Sequence, residues 1–398
     1  MKPFPFFPSR PVIMKKLLLT LISVALLVSF AGVAYVIAPR RVKERIGGAT
    51  NSPETSVKAN GAASRTPEDL KVLFHETRIA NQPNDAQAHR LLAHALVSRA
   101  ESTGDPADYD RSWAELDQAE QLEPGSLVTT LFKAKLLLSR HRFGQARDVA
   151  RQGLQKDADD VALIGLSSDA AIAMEDFSAA EAHLQRLVRL APKSPDTWSK
   201  MSYLAEKRGN LDEAAELMEK ALKTGYEKDV KYESLAWLHT ILGELEAKRG
   251  KLDVAGAHYN LALKKVPGYR LALEFTADMD LWQGNLKAAE EGYRNLIAKQ
   301  FDPKIQLRLA GLLERQGSKD EAAQMRDESL RFYERVIAGG NEGYLRDLAT
   351  LDLAAGRYER AAELAARDVV LRPTMESRML YASVLKRAEA AQLSGGNN

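Results

Sequence analysis

The sequence predicts an all-α fold built as one elongated stack of about eight helix pairs. Apolar residues recur three to four positions apart through most of the chain, which is the periodicity of amphipathic helices. Small residues return about every 34 positions, and hydrophobic residues make up 45% of the 398-residue chain. A repeated unit of this length with this apolar content favours a solenoid over separate compact domains.

The clearest unit covers Leu235–Pro267 and contains two short helices joined by a tight turn at Gly250. Gly243 in the first helix and Ala255 in the second are predicted to meet where the helices cross, because small side chains permit close approach. Tyr259 then fills the volume beside the crossing. The closing proline stops the second helix.

A small residue recurs through the chain at the position that Ala255 occupies in its unit. It recurs in steps of 34, 34, 34, 41, 34, 33 and 39 residues. Its members are Ser112, Ala146, Ala180, Ala214, Ala255, Ala289, Ala322 and Ala361. This spacing resembles the tetratricopeptide repeat. The resemblance implies a right-handed superhelix of about eight helix pairs.

Composition predicts five parts along the chain. These are a flexible basic tail (1–16), an apolar segment (17–38), a disordered linker (39–65), the solenoid with capping helices (66–392) and a disordered tail (393–398). The linker is rich in small and polar residues and has almost no large apolar side chain, so it cannot bury enough surface to fold.

The apolar segment 17–38 holds 22 residues without a charge, enough for a helix of roughly 33 Å that spans a bilayer. A buried soluble helix is the disfavoured alternative. A secretory signal that starts at Met14 and is cleaved near Ala31 or Ala34 stays open. The retained anchor is favoured because the apolar run continues to Ala38 and then meets Pro39, Arg40 and Arg41, the flank expected of a membrane span.

Basic residues flank the apolar segment on both sides and hardly decide its orientation. The signal-like start favours a single-pass protein of the inner membrane, of a membrane-anchored bacterial type, with its solenoid in the periplasm. A soluble periplasmic protein after cleavage and a cytoplasmic solenoid remain alternatives.

The net charge of +2 is unevenly distributed. Residues 1–45 carry +7 and residues 46–65 carry +1, which leaves the repeat region from Thr66 onward near −6. A mildly acidic solenoid repels phosphate backbones, so nucleic acid is not an expected partner. The chain has no cysteine, which excludes disulfides, thiolate nucleophiles and cysteine metal sites.

No motif in the sequence indicates an enzyme, a cofactor or a metal site. The seven histidines show no zinc-binding spacing, and His89 and His94 are five apart, on different helix faces. Phosphate loops, nucleophile elbows and zinc-protease motifs are missing.

The resemblance implies that first helices line a concave groove that binds partner segments. Acids and aromatic rings at the groove positions suit a protein or peptide partner with basic and apolar side chains. The alternative is that these residues only form solvent-exposed helix faces. The lysine and asparagine set that clamps a C-terminal carboxylate in some members is missing. The implied groove residues are Lys135, Asp169, Tyr203, Glu206, Trp237, Glu244, Glu274, Asp278, Trp282 and Arg315.

These expectations combine into a membrane-tethered scaffold for protein partners, with a role in cell-envelope assembly or biogenesis. Similar architecture occurs in bacterial envelope assembly factors, although the fold alone does not settle function. A cytoplasmic membrane-docked adaptor that recruits an enzyme is the second hypothesis. A catalytic or sugar-binding module is the third, and it requires a convergent polar cluster in a closed pocket.

Overall fold

The computed structural model describes residues 66–103, 105 and 107–395. The described residues form eighteen α-helices and one short 3-10 turn, and no strand occurs among them. The predicted basic tail, apolar segment and linker lie outside this range, as do residues 396–398. Among the helices described, none combines the length and the apolar character that crossing a membrane requires.

Eight helix pairs follow one another between two single end helices, α1 (Pro67–Asn81) and α18 (Met375–Gly395). A 3-10 turn at Glu342–Tyr344 precedes the eighth pair. In chain order the pairs are α2 (Ala86–Thr103) with α3 (Ala107–Leu122), α4 (Leu127–Ser139) with α5 (Phe143–Lys156), α6 (Val161–Ala173) with α7 (Phe177–Leu190), α8 (Pro195–Lys207) with α9 (Leu211–Glu227), α10 (Tyr232–Lys248) with α11 (Leu252–Lys265), α12 (Arg270–Gln283) with α13 (Leu286–Lys299), α14 (Pro303–Arg315) with α15 (Lys319–Ala338), and α16 (Leu345–Ala354) with α17 (Tyr358–Leu371).

The end helices begin and end close to the predicted positions. Thr66 and Asp69 form a reciprocal capping box at the start of α1, and Pro67 takes the first helical position, where its missing N–H costs nothing. The last helix ends at Gly395, three residues beyond the predicted end at Gln392.

The recurring small residues lie where paired helices cross, and each is 0–1% exposed. At the crossing of α10 and α11, a Cβ added to Gly243 would lie only 2.5 Å from Cε1 of Tyr259 and 3.1 Å from the carbonyl oxygen of Ala255. Only glycine permits this approach. The buried small residues are Ser112, Ala146, Ala180, Ala214, Ala255, Ala289, Ala322 and Ala361.

The hydrophobic core continues from pair to pair rather than converging on one centre. One cluster joins the fourth and fifth pairs through Trp198, Leu238 and Ile241. Another joins the seventh and eighth pairs to α18 through Tyr333 and Val384. Such nearest-neighbour packing is the organisation of a solenoid. The predicted all-α stack of about eight helix pairs is therefore confirmed.

Candidate interaction site

The ten predicted groove residues all lie on first helices of the pairs. First helices contact one another through most of the stack, and we call the surface that they form together the first-helix face. The predicted residues lie on α4 (Lys135), α6 (Asp169), α8 (Tyr203, Glu206), α10 (Trp237, Glu244), α12 (Glu274, Asp278, Trp282) and α14 (Arg315).

Three clusters of two acids and one cation connect neighbouring first helices. In the first cluster, Nζ of Lys200 lies 2.6 and 2.8 Å from the carboxylate oxygens of Asp169 and 3.6 Å from Oδ1 of Asp196. Asp169 comes from α6 and the other two residues from α8. The lysine and Asp169 are buried, and the side chain of Asp196 is 20% exposed.

The second cluster joins α8 to α10. Nζ of Lys248 donates to Oε1 of Glu206 and to Oε1 of Glu244, both at 2.6 Å. All three side chains are less than 10% exposed. Although burial opposes the charged amine, the two carboxylates raise the pKa of Lys248 above its usual value. The lysine therefore stays charged and bridges the two helices.

The third cluster joins α12 to α14. The guanidinium of Arg308 donates to Oε1 of Glu274 and to Oδ2 of Asp278, each at 2.8 Å. Tyr293 on α13 donates to the other oxygen of Asp278 at 2.6 Å. The cluster is thereby fixed both to the next repeat and to the second helix of its own pair.

Burial raises the pKa values of four acids in these clusters. Burial raises the pKa of Asp169 to about 6, against the opposing effect of Lys200. It likewise raises the pKa of Glu274 to about 7, against Arg308. The pKa values of Glu244 and Asp278 are also raised, again mainly by burial. One cation therefore does not fully compensate two buried carboxyls.

Sequence reasoning found five of the six cluster acids and missed the three cations. Lys200, Lys248 and Arg308 were not among the predicted residues, and neither was Asp196. A signal for them exists, because Arg308 follows Glu274 by 34 residues and Lys200 follows Asp169 by 31, each close to one repeat. The predicted acidic groove is therefore a row of partly neutralised clusters and not a row of open carboxylates.

The remaining predicted residues surround these clusters. Burial, together with the neighbouring charge of Lys200, lowers the pKa of Lys135 to about 8. Nζ of Lys207 lies 5.4 Å from the ring centroid of Tyr203, within cation–π range. Trp237 and Trp282 are partly buried against core clusters that their pairs share with the preceding pairs. Arg315, in the last turn of α14, is exposed.

The histidines do not form a metal centre among the described residues. No three histidine, aspartate or glutamate side chains there are grouped so as to hold a metal ion. The tightest pair is His239 and His258, whose Nδ1 atoms lie 3.1 Å apart. Nε2 of His239 also lies 2.8 Å from the hydroxyl of Tyr226. These contacts join α9, α10 and α11 and serve packing.

A family model described as Tetratricopeptide repeat matches residues 166–229, which run from within α6 of the third helix pair to the end of the fourth pair. Comparison with curated proteins gave no match. The matches indicate no enzyme family.

Two solved structures share the fold over most of the chain. The crystal structure of the APC/C hetero-tetramer Cut9-Hcn1 aligns with a TM-score of 0.50 and 15% identity, over 81% of this chain and 61% of that chain. The chain thus spans less than two thirds of that structure's length. The crystal structure of the yeast Tom70 aligns with a TM-score of 0.51 and 14% identity, over 87% of this chain and 77% of that one. At these identities the similarity concerns the fold alone. Residues 166–229 thus match the tetratricopeptide repeat, and over most of the chain these two structures share the helix-pair stack.

Proposed function

We propose that this chain is a membrane-tethered scaffold whose first-helix face binds a protein segment with basic and apolar side chains. The observation that carries the proposal is the row of three acid–cation–acid clusters along neighbouring first helices. Each cluster contains one carboxyl more than it contains cations. A lysine or arginine from a partner would supply the missing charge.

The raised carboxyl pKa values support this choice of partner. Asp169, with its pKa of about 6, and Glu274, with its pKa of about 7, hold part of their protons near neutral pH because burial opposes their ionisation more strongly than the neighbouring cations favour it. A bound basic side chain would lower both pKa values and release protons. An acidic partner segment would raise them further and would be repelled.

Apolar side chains of the partner would contact the aromatic rings on the same face. Tyr203 lies on α8, Trp237 on α10 and Trp282 on α12, so each ring shares its helix with residues of a cluster. Large, stiff aromatic side chains contribute contact area at low entropic cost. The combination favours an extended or helical segment over a small ligand.

Isothermal titration calorimetry with a matched pair of synthetic peptides tests the binding chemistry. A peptide of alternating Lys and Leu should bind the chain, and a peptide of alternating Glu and Leu should not. Proton release should appear as a binding enthalpy that changes with the ionisation enthalpy of the buffer near pH 6.5. Equal binding of both peptides would contradict the proposed chemistry.

A pair of variants locates the contact on the molecule. Asp196→Asn removes the charge of the most exposed acid in the first two clusters and should weaken the Lys–Leu peptide roughly fivefold, which corresponds to about 1 kcal/mol. Glu216→Gln is the matched control, because Glu216 is exposed on the second helix α9, away from the clusters. The two variants should differ in affinity while keeping the same helicity.

We further propose that residues 17–38 anchor the chain in the inner membrane and that the solenoid lies in the periplasm. The support is the uncharged apolar run of the sequence and its basic flanks. Carbonate extraction of membranes should leave the full chain in the pellet, and deletion of 17–38 should release it. Protease added to intact spheroplasts should digest the solenoid, and protection of the solenoid would place it in the cytoplasm.

A role in envelope assembly follows from the proposed location and the proposed binding face. Crosslinking in intact cells, followed by purification of the full chain from membranes, should recover envelope proteins that expose basic and apolar segments. Recovery should fall with Asp196→Asn and not with Glu216→Gln. Recovery of cytoplasmic enzymes instead would favour the adaptor hypothesis.

A further inference from the structure

Two turns between paired helices lack the glycine that the later repeats have at the same position. In the fourth to eighth pairs, a glycine with positive φ stands at the same place in the turn, with φ from 74° to 91°. In the second and third pairs that position holds His141 with φ 57° and Glu175 with φ 59°. The left-handed region is unfavourable for residues other than glycine, so these two side chains need a compensating contact. The five glycines are Gly209, Gly250, Gly284, Gly317 and Gly356.

Glu175 makes such a contact with the far end of the chain. Its Oε2 accepts a hydrogen bond of 2.7 Å from the backbone N–H of Met375, the first residue of α18. The two residues are 200 positions apart. A carboxylate at a helix N-terminus satisfies an unpaired N–H and complements the helix dipole.

His141 contacts the segment between the seventh and eighth pairs. A Cβ added to Gly343 would lie 1.9 Å from Cδ2 of His141, so the imidazole packs directly on the glycine backbone. The guanidinium of Arg142 lies 4.0 Å from Oε2 of Glu342. The side chain of Asn341 interacts with Tyr109, at the start of the first pair's second helix.

Both sides of this contact are irregular in the repeat pattern. Gly339–Tyr344 falls in the step of 39 residues between the last two small residues, where the chain is about five residues longer than one repeat. His141 and Glu175 replace the glycine of the other turns. His141 therefore meets the inserted residues of the late repeats and Glu175 meets the start of α18, so the stack curves back on itself.

The same contact brings α18 close to the first-helix face. Burial, followed by the carboxylates of neighbouring acids, raises the pKa of Tyr203, and Glu376 of α18 is one of those acids. Glu376 directly follows the residue that Glu175 holds. The N-terminal turn of α18 therefore lies near the ring that we assign to partner binding.

We propose that these contacts form a clasp that closes the solenoid into a ring and that must open before a partner segment reaches the first-helix face. We define the clasp as His141, Arg142 and Glu175 on one side and Asn341–Gly343 with Met375 on the other. The gating rests on the proposed function, whereas the closure itself does not. A closed clasp limits the fraction of binding-competent molecules and slows association.

The absence of cysteine makes a distance measurement straightforward. Ser178→Cys and Arg378→Cys place spin labels at exposed positions of α7 and α18, beside the clasp. Double electron–electron resonance on the full chain should give a short and narrow distribution of distances between the two spin labels. The variant His141→Gly/Glu175→Gly should give a longer and broader distribution. This variant is expected to fold, because glycine is the residue that five other turns use at this position.

Stopped-flow mixing with the Lys–Leu peptide tests the gate. Association should accelerate roughly tenfold in the double-glycine variant, because more molecules are open. Glu175→Gln, which keeps a side-chain oxygen as acceptor, should stay close to the parent rate. An unchanged distance in the double-glycine variant would overturn the clasp.

The remaining outcomes separate the two proposals. A wider distance with an unchanged association rate would overturn the gating while leaving the binding function in place. A peptide that binds neither the parent nor the variant would overturn the proposed function, and the gating with it. In that case the distance measurement still tests whether the clasp closes the solenoid into a ring.

Discussion

The hydroxyl of Tyr293 donates a hydrogen bond of 2.6 Å to Oδ1 of Asp278, and both side chains are buried. The other oxygen of Asp278 accepts from Arg308, so the tyrosine and the arginine together satisfy one carboxylate. In the preceding repeat the same position is Tyr259, which fills volume at the helix crossing. The sixth pair thus uses a packing tyrosine to hold an acid of the first-helix face.

Removing this hydroxyl should destabilise the chain. Tyr293→Phe keeps the ring but leaves a buried carboxylate oxygen without its donor, so we expect a loss of about 1–3 kcal/mol in the free energy of unfolding. Tyr333→Phe is the matched comparison, because the Tyr333 hydroxyl is buried without a hydrogen-bond partner among the described residues. That variant should be as stable as the parent or more so. Urea unfolding followed by circular dichroism measures both, and equal losses would contradict the assignment.

The sequence was sufficient to predict the helix pairs and their crossings. The spacing of Gly243 and Ala255 within one unit, and the return of that small residue in phase, depend on local geometry that every repeat shares. Because the period fixes which helix each residue occupies, it also placed the ten candidate residues on first helices. These features follow from neighbours close in the chain.

Contacts between repeats were not predictable in the same way. The pairing of Asp169 with Lys200 depends on the reach of one lysine across two helices, which the repeat pattern does not encode. The contact of Glu175 with Met375 depends on the small rotation between successive pairs, summed over about five repeats. Errors in that rotation accumulate, so a local pattern cannot tell an open spiral from a closed ring.

The second cluster should respond strongly to loss of its cation. Lys248→Met leaves Glu206 and Glu244 buried without a counter-charge, and we expect a loss of about 3–5 kcal/mol. Replacing both acids by glutamine in the same chain should recover most of that loss, because no uncompensated charge then remains buried. Urea midpoints of the single and triple variants measure the difference. A triple variant as unstable as the single one would show that the lysine stabilises by packing and not by charge.

Stability should depend on pH through Glu274. Its pKa is raised from 4.5 to about 7 in the folded chain, mainly by burial. The folded chain therefore binds more protons than the unfolded chain between these values, and this contribution to stability is lost as pH rises through 7. Glu274→Gln removes the contribution.

Comparing the free energy of unfolding of variant and parent across pH isolates the contribution of Glu274. Between pH 5 and 7.5 the stability of Glu274→Gln should rise relative to the parent by up to roughly 3 kcal/mol. Glu291→Gln, at an exposed position of α13, serves as the control and should run parallel to the parent. Parallel profiles for Glu274→Gln as well would mean that Arg308 holds the carboxylate ionised throughout.

Two helical glycines should respond in opposite directions to the same substitution. Gly243→Ala places a methyl group 2.5 Å from the ring of Tyr259 and 3.1 Å from the backbone of Ala255, and such overpacking should cost about 1–3 kcal/mol. Gly311→Ala, in the middle of α14, meets no atom within 4 Å and should stabilise its helix by about 0.5–1 kcal/mol. Thermal unfolding of the two variants provides the measurement. Because both changes add one methyl group to a first helix, helix propensity alone predicts the same sign for each. A rise in melting temperature for both would show that α10 and α11 cross farther apart than the small residues imply.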